Sequence, residues 1–316
     1  MNARGGRRIQ RSMRSIAAVI TLASIANASA CLNEYSTLLS GKVIMDAGGH
    51  CPLSFGDIDT TALASKLDSL DAHGAMYGTG PEDLSDRGVL LVYLGRYDEA
   101  IRQFRYLENG FDPYTVYANM GTAYELQGRN DSALYYIRKA VEINPGAHNG
   151  SEWIHVKVLE RKVALAMGGL ITGPLLGINF GEGELPVAPK DVDLAGLRAQ
   201  LRYQLKERMT FVKAPDAIVG ELLFELGNIE AFLNSVECAV DMYDVAEEYG
   251  YTSELFDRRY AKLSGMTGKA TILNAIHPAT DHAANWITYL FYGTLVALPI
   301  ALLWGLWRWF RRPRAR

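Results

Sequence analysis

The sequence predicts an all-α chain, a short solenoid of helical hairpins followed by one C-terminal transmembrane helix. Three observations predict it. A block from Gly88 to Phe104 recurs 33 residues further on. Within both copies the apolar residues return at the spacing of a helix face. Trp286 to Trp307 then runs for 22 residues without a charge. A repeat unit of roughly 30–40 residues cannot bury its own apolar face, and it reaches stability by stacking on further units.

The second copy is the clearer. Pro113 opens a helix over Tyr114–Gln127, as proline favours a first turn. Tyr117, Met120, Gly121 and Tyr124 share one face of it. Gly128-Arg129-Asn130-Asp131 makes the turn, with Asn130 or Asp131 placed to cap the next helix. That helix covers Ser132–Ile143 with Ala133, Ile137 and Ala140 in one stripe, and Asn144-Pro145-Gly146 stops it. Gly121 and Ala133 are small because two antiparallel helices joined by so short a turn approach closely where they cross. Leu84, Gly88, Leu91, Ala100, Phe104 and Leu107 hold the same pattern in the first copy, which carries Arg87 where the pattern has leucine and one extra residue before Pro113. Leu223, Leu226, Gly227, Ala239, Tyr243 and Ala246 repeat it once more, with Glu230 at the tyrosine position. Trp153, Ile154, Val156, Leu159 and Val163 start where a third first-helix belongs, without the small residues at the expected offsets.

These offsets resemble the tetratricopeptide repeat, an aromatic-x2-Leu-Gly-x2-Tyr, then Ala-x3-Phe, then Pro pattern. The likeness covers residues 81–168 well and 218–250 loosely. It implies a solenoid whose first helices line a concave groove for an extended or helical protein partner. Carried over residue by residue, that groove comprises Ser85, Val89, Val92 and Tyr93 in the first copy and Ala118, Asn119, Thr122 and Glu125 in the second. Asn119 is the strongest candidate contact, since an amide there can bond a peptide backbone.

The flanks predict export and anchoring. Arg4, Arg7, Arg8, Arg11 and Arg14, then the apolar run Ile16–Ala26, then Ala28-Ser29-Ala30, read as a signal peptide over 1–30. The 286–307 run matches the thickness of a bilayer core, with Trp286, Tyr289 and Tyr292 at one interface and Trp304, Trp307 and Trp309 at the other. Arg308, Arg311, Arg312, Arg314 and Arg316 in the tail 308–316 place the C-terminus in the cytoplasm. Both ends therefore give one orientation, a single-pass anchor with the body on the outer face of the cytoplasmic membrane.

Each flank holds five of the 32 basic residues and none of the 35 acidic ones, which leaves the body with 22 against 35, a formal net charge of −13. Such a body is repelled by phosphate backbones, so nucleic acid is excluded as a partner. Cys31 and Cys51 bracket a segment lacking an obvious core and are expected to form a disulfide in an oxidising compartment. Cys31, directly after the cleavage site, also fits lipid attachment, although Ala28 stands where such sites carry leucine. Cys238 reads as a buried apolar filler.

The rest divides into a loop-rich 31–80 with a capping helix (Thr61–Ala72) and a linker over Gly74–Gly80, a Gly/Pro-rich apolar loop over 169–190, C-terminal helices over 191–265, and a juxtamembrane spacer over 266–285. Leu175, Leu176, Ile178 and Phe180 suggest that the loop lies on the solenoid and covers part of its groove. A search for chemistry finds no phosphate loop, nucleophile elbow or zinc helix. His155 reads as a satisfied groove histidine and Glu160-Arg161-Lys162 as a solvated face. No catalytic or metal-binding residues and no cofactor are predicted. The expected function is a membrane-anchored, non-enzymatic scaffold for a protein or peptide partner in the cell envelope. The alternatives are a metal-dependent accessory enzyme using His277, Asp281 and His282, and a cell-wall or small-ligand binder.

Overall fold

The computed structural model describes residues 34–46, 51, 59–170 and 172–276, and the compact body spans Tyr35–Asn274. The signal peptide, Cys31, the histidines at 277 and 282, the anchor 286–307 and the basic tail lie outside the described residues. Among those described, no helix is long and apolar enough to cross a membrane.

A two-stranded hairpin, β1 (Glu34–Thr37) and β2 (Val43–Asp46), comes first, in a stretch where the sequence suggested only loops. Helix α1 (Thr60–Tyr77) follows, its N-terminus capped by the Asp59 carboxylate, which accepts from the Thr61 and Ala62 N–H groups. Helices α2 (Pro81–Tyr93) and α3 (Tyr97–Leu107) form the first hairpin, and α4 (Pro113–Leu126) and α5 (Asn130–Ile143) the second. Gly95 and Gly128 turn these hairpins at φ +72° and +80°, a left-handed conformation that glycine adopts without a Cβ penalty. A single turn α6 (Ala147–Gly150) leads into α7 (Glu152–Ala166) and, after the Gly/Pro-rich segment, α8 (Leu194–Phe211). The degenerate copy forms a third hairpin, α9 (Ala217–Leu233) and α10 (Val236–Glu248), and α11 (Glu254–Ile276) closes the body. The spacer assigned to 266–285 therefore begins as helix, continuous with α11.

One crossing geometry recurs in all three hairpins. A Cβ on Gly88 would lie 2.6 Å from the Phe104 ring, one on Gly121 2.6 Å from Ile137, and one on Gly227 2.4 Å from the Tyr243 ring. Ile137 thus fills the crossing of its own hairpin. Each glycine lets a large residue of the second helix lie on the backbone of the first, so the sequence offset and the close approach are one constraint. Gly227→Ala should lower stability by about 1–3 kcal/mol through overpacking, whereas Gly265→Ala, where a Cβ meets open space inside α11, should raise it by about 0.5–1 kcal/mol; urea melts of the two variants compare them.

The helices stack in sequence: α1 on α2, α2 on α3, α3 on α4, α4 on α5, α5 on α7, α7 on α8, and α8 on α9. Arg87, the departure from the pattern in the first copy, bonds Asp71 at 2.7 Å and so ties α1 to the first hairpin. Two cores result. Leu91, Phe104, Met120, Tyr124 and Ile137 centre the first, and Leu201, Leu205, Leu222, Leu226, Tyr243 and Phe256 the second. Helix α7 joins them, giving Leu159 to the first and Ile154 and Val158 to the second.

The apolar loop packs, but not where expected. Leu175, Leu176 and Phe180 are buried in the second core, and no described residue of 170–190 lines the groove between α2 and α4. The segment straps α9 and α11 because buried charged side chains there satisfy its backbone. Glu221 and Glu225 accept from the Leu175 and Leu176 N–H groups at 2.9 and 3.2 Å. Arg259 donates to the carbonyls of Phe180, Gly181 and Gly183 and to Asn228 Oδ1.

The disulfide also differs from expectation. Cys51 pairs with Cys238, Cα to Cα 5.4 Å across 187 residues, which excludes a Cys31–Cys51 bond and makes Cys238 a bridging residue rather than a filler. The N-terminal segment docks on the far bundle: Tyr35 exchanges backbone hydrogen bonds with the Asn274 amide, and Thr37 N–H donates to Glu237. That docking brings Cys51 to the start of α10. Closing so long a loop restricts the unfolded chain, and Cys51→Ser should lower stability by about 2–4 kcal/mol. A reductant should shift the melt of the parent protein by a like amount and leave the variant unmoved.

Candidate functional site: a cleft between the repeats and helix α8

Seven of the eight groove residues read from the sequence come together. Val89, Val92, Tyr93, Ala118, Asn119, Thr122 and Glu125 line one cleft of about 230 Å³. Ser85 is buried but does not line it. The opposite wall was not anticipated. Helix α8 lies along the mouth of the concave face and contributes Gln204, Glu207, Arg208 and Phe211. The open groove expected of stacked hairpins is thereby narrowed to a pocket sized for one side chain or a small molecule.

Two acidic residues hold α8, one from each side. Glu125 of α4 accepts from Arg208 at 2.6 Å, and also from His155 Nε2 at 2.6 Å and Lys162 at 2.8 Å, both on α7. Glu230 of α9, wholly buried, accepts from Arg202 at 2.7 Å, with Arg198 at 3.5 Å. Glu230 occupies the position that Tyr124 holds in the second hairpin. The departure from the repeat pattern is therefore the residue that receives the arginines of α8. Leu197, Leu201, Leu205 and Met209 on the same helix complete its attachment to the second core, and Phe211 packs tilted against Tyr93, centroids 4.8 Å apart.

The cleft is apolar at one end and charged at the other. Val89, Val92, Leu126, Phe211 and Val212 form the apolar end. At the charged end, carboxylates and imidazoles alternate: Glu125, His155, Glu152, His148. His155 sits between Glu125 and Glu152, with Nδ1 3.8 Å from the latter. Burial opposes every charge here, yet the neighbours win. Arg208, His155 and Lys162 hold the Glu125 carboxyl well below the usual range, and the two histidines lower Glu152 to about 2. His155 is raised by Glu125 and Glu152 against its own desolvation. His148, at the rim, is raised by its bond to Glu152 and stacks on Tyr203 at 4.9 Å. It is aimed there by an unusual backbone, with His148, Asn149 and Gly150 all at positive φ. Arg208 Nε is buried without an acceptor, the one donor of that guanidinium so placed.

His155 is the satisfied histidine that the sequence suggested, but its partners were missed. One carboxylate stands a turn before it, at Glu152, and the other comes from α4. Glu160-Arg161-Lys162 is not a solvated face: Lys162 bonds Glu125, and Arg161 bonds Glu221 at 2.9 Å. Thr122 spends its hydroxyl on the Ala118 carbonyl. Glu125 is engaged by three cations, so of the predicted polar contacts Asn119, half-buried, is the one whose side chain faces the cleft with no such commitment. Among the described residues no group of three or more His, Cys, Asp or Glu is placed to hold a metal ion.

An α-solenoid whose concave face narrows to a cleft is a binding architecture. Residues 114–146, which are α4 and α5 with their closing turn, match the model of the tetratricopeptide repeat family. The chain is tetratricopeptide-repeat-like in its helical hairpins on that match and on the recurring glycine crossing. Neither a curated protein nor a solved structure matches it significantly.

Proposed function

We propose that the protein is a non-enzymatic interaction scaffold that receives one side chain of a protein partner in the cleft between α2, α4 and α8. The convergence of seven independently read groove residues on one cleft carries this reading, on a chain with a family-matched repeat. The apolar end accepts the body of the inserted side chain, Asn119 offers its amide to the partner's backbone, and the charged end fixes depth. The same reading places the body outside the cytoplasmic membrane on a single-pass anchor. The basic, apolar and small-residue order of 1–30 supports it, as do the uncharged run 286–307 and its arginine tail. A disulfide between Cys51 and Cys238 suits an oxidising compartment. Tethering raises the local concentration of a partner in the same compartment, so modest affinity suffices.

The test is photocrosslinking in intact cells from a probe at Val92, compared with a probe at the exposed Tyr106. A partner captured at Val92 alone, and lost when Ala118→Trp fills the cleft, is the expected result. Capture that survives Ala118→Trp would place the partner elsewhere. Asn119→Ala should weaken that partner roughly 5- to 30-fold, the equivalent of about 1–2 kcal/mol for one unpaired polar contact, with an unchanged melting temperature.

A further inference from the structure

A second cleft, of about 340 Å³, lies between the 173–182 strap and helices α9 and α11, on residues that the scaffold reading does not use. Its volume is within the range of small-ligand sites. Phe224, Tyr251 and Phe180 supply aromatic surface, the first two stacked 5.4 Å apart. Glu182 stands exposed at its edge. Glu225 lines it too. This side chain is only 3 % exposed, its Oε1 accepts from the Leu176 N–H, and its Oε2 has no partner. An unpartnered buried carboxylate oxygen in an aromatic-walled cleft is an incomplete arrangement, because a buried polar atom without a bond is destabilising.

The neighbouring charges do not complete it. Arg161 is taken by Glu221 and the Gly173 carbonyl. Arg259 is taken by three strap carbonyls and Asn228. Arg161 acts on Glu225 through space and Arg259 lines the same cleft, and neither bonds it. What fits is a compact donor of positive charge, able to approach one free oxygen and lie against aromatic faces. A single oxygen suits an ammonium point charge better than the two-pronged guanidinium.

We infer that the strap cleft is a binding site for a primary ammonium group on an aliphatic stem, held by Glu225 against the Phe224 and Tyr251 rings. The acidic body, at formal net charge −13, attracts such a group. In the free protein, burial with Glu221 nearby pushes the Glu225 carboxyl up to about 8, opposed by the Leu176 and Leu175 N–H groups and Arg161. Tyr251 faces the same cleft from the connection between α10 and α11, Glu182 from the strap and Arg259 from α11, and Tyr243 of α10 is bonded to Asn228 beside it. The ammonium selects the ionised carboxylate, so binding expels the Glu225 proton to solvent. Affinity therefore rises with pH, roughly tenfold per unit below about 8, and levels off above.

The experiment titrates the full chain at pH 7 with n-butylammonium, with n-butanol as the uncharged counterpart, and with an acetyl-Gly-Lys-Gly-amide peptide. Chemical shifts of the Leu175 and Leu176 amides and calorimetry in two buffers of different ionisation enthalpy read it. Saturable millimolar binding of the amine, release of nearly one proton, and at least tenfold weakening by butanol or Glu225→Gln support the site. Tighter binding of the peptide identifies a lysine side chain as the source, and tighter binding of butylammonium a small amine. Glu225→Gln keeps a neutral group of the same shape, so an unchanged melt separates lost binding from lost fold. Equal binding of butanol, equal binding by Glu225→Gln, or no saturable binding at all overturns the proposal.

Discussion

Glu125→Gln should lower the stability of the body by about 3–5 kcal/mol, the range for removing one partner from a buried charge cluster. The amide leaves Arg208 and Lys162 without their counter-charge and His155 with Glu152 alone, and all three come from helices other than α4. A domain of this kind has only about 5–15 kcal/mol to lose, so a urea melt resolves the effect easily. The pH dependence is as specific as the magnitude. The Glu125 pKa is depressed on folding, so its contribution is present above the ordinary value of 4.5 and is lost as pH falls below it. The His155 pKa is raised, so its contribution is complete below 6.5 and fades as pH climbs through the folded value. Stability from this cluster therefore peaks between about pH 4.5 and 6.5. His155→Gln should make the decline on the alkaline side shallower, leaving the part due to His148 and Glu225, whose pKa values are also raised, and should keep the acid limb. A parent protein whose melting temperature rises steadily from pH 6 to 8 would show that the cluster does not govern stability.

The hairpins were legible because their constraint is local. Gly88, Gly121 and Gly227 each announce, through a large residue at the same offset, a crossing that one turn of chain fixes. The groove residues were legible for the same reason, since a helix face is set by spacing alone. Helix α8 was legible as one of the C-terminal helices over 191–265, but nothing local says which surface it meets. Its placement depends on Arg208 reaching Glu125 across 83 residues and Arg202 reaching Glu230 across 28. Glu230 carried the signal: a charge at an aromatic position of a repeat is costly to bury unless a cation waits for it. The Cys51–Cys238 bond was missed because nearness in sequence favoured Cys31, whereas the docking of the N-terminal segment on α10 and α11 brings a distant cysteine within reach. The loop 169–190 was correctly distinguished from a solvated linker by Leu175, Leu176 and Phe180. Its apolar content could not say which of two cores would take it.

Arg259→Met should lower stability by about 2–5 kcal/mol, at about 1–3 kcal/mol for each buried carbonyl left unpaired, with its consequence confined to the strap. The guanidinium is 1 % exposed and donates to Phe180 O at 2.8 Å, Gly183 O at 3.0 Å and Asn228 Oδ1 at 2.8 Å, as well as to Gly181 O. Methionine fills much of the same volume and lies against Phe224 as the arginine does, so the loss is of hydrogen bonds rather than packing. The Gly181 and Gly183 carbonyls are then left without that donor, and Phe180 O keeps only the Val187 N–H, in a segment that has little regular secondary structure of its own. Buried carbonyls in that state favour solvent, and the strap should lift while the hairpins stay folded. Amide exchange separates this from global destabilisation. Residues 175–183 should exchange at least tenfold faster in the variant under native conditions, while the α4 and α5 amides keep their parental rates. If the strap and the second hairpin accelerate together, Arg259 supports the whole body and not the strap alone. The same variant leaves Glu225 in place but removes the wall opposite it. Amine binding at the strap cleft should therefore fall with the strap's protection, whereas capture of a partner from Val92 should persist.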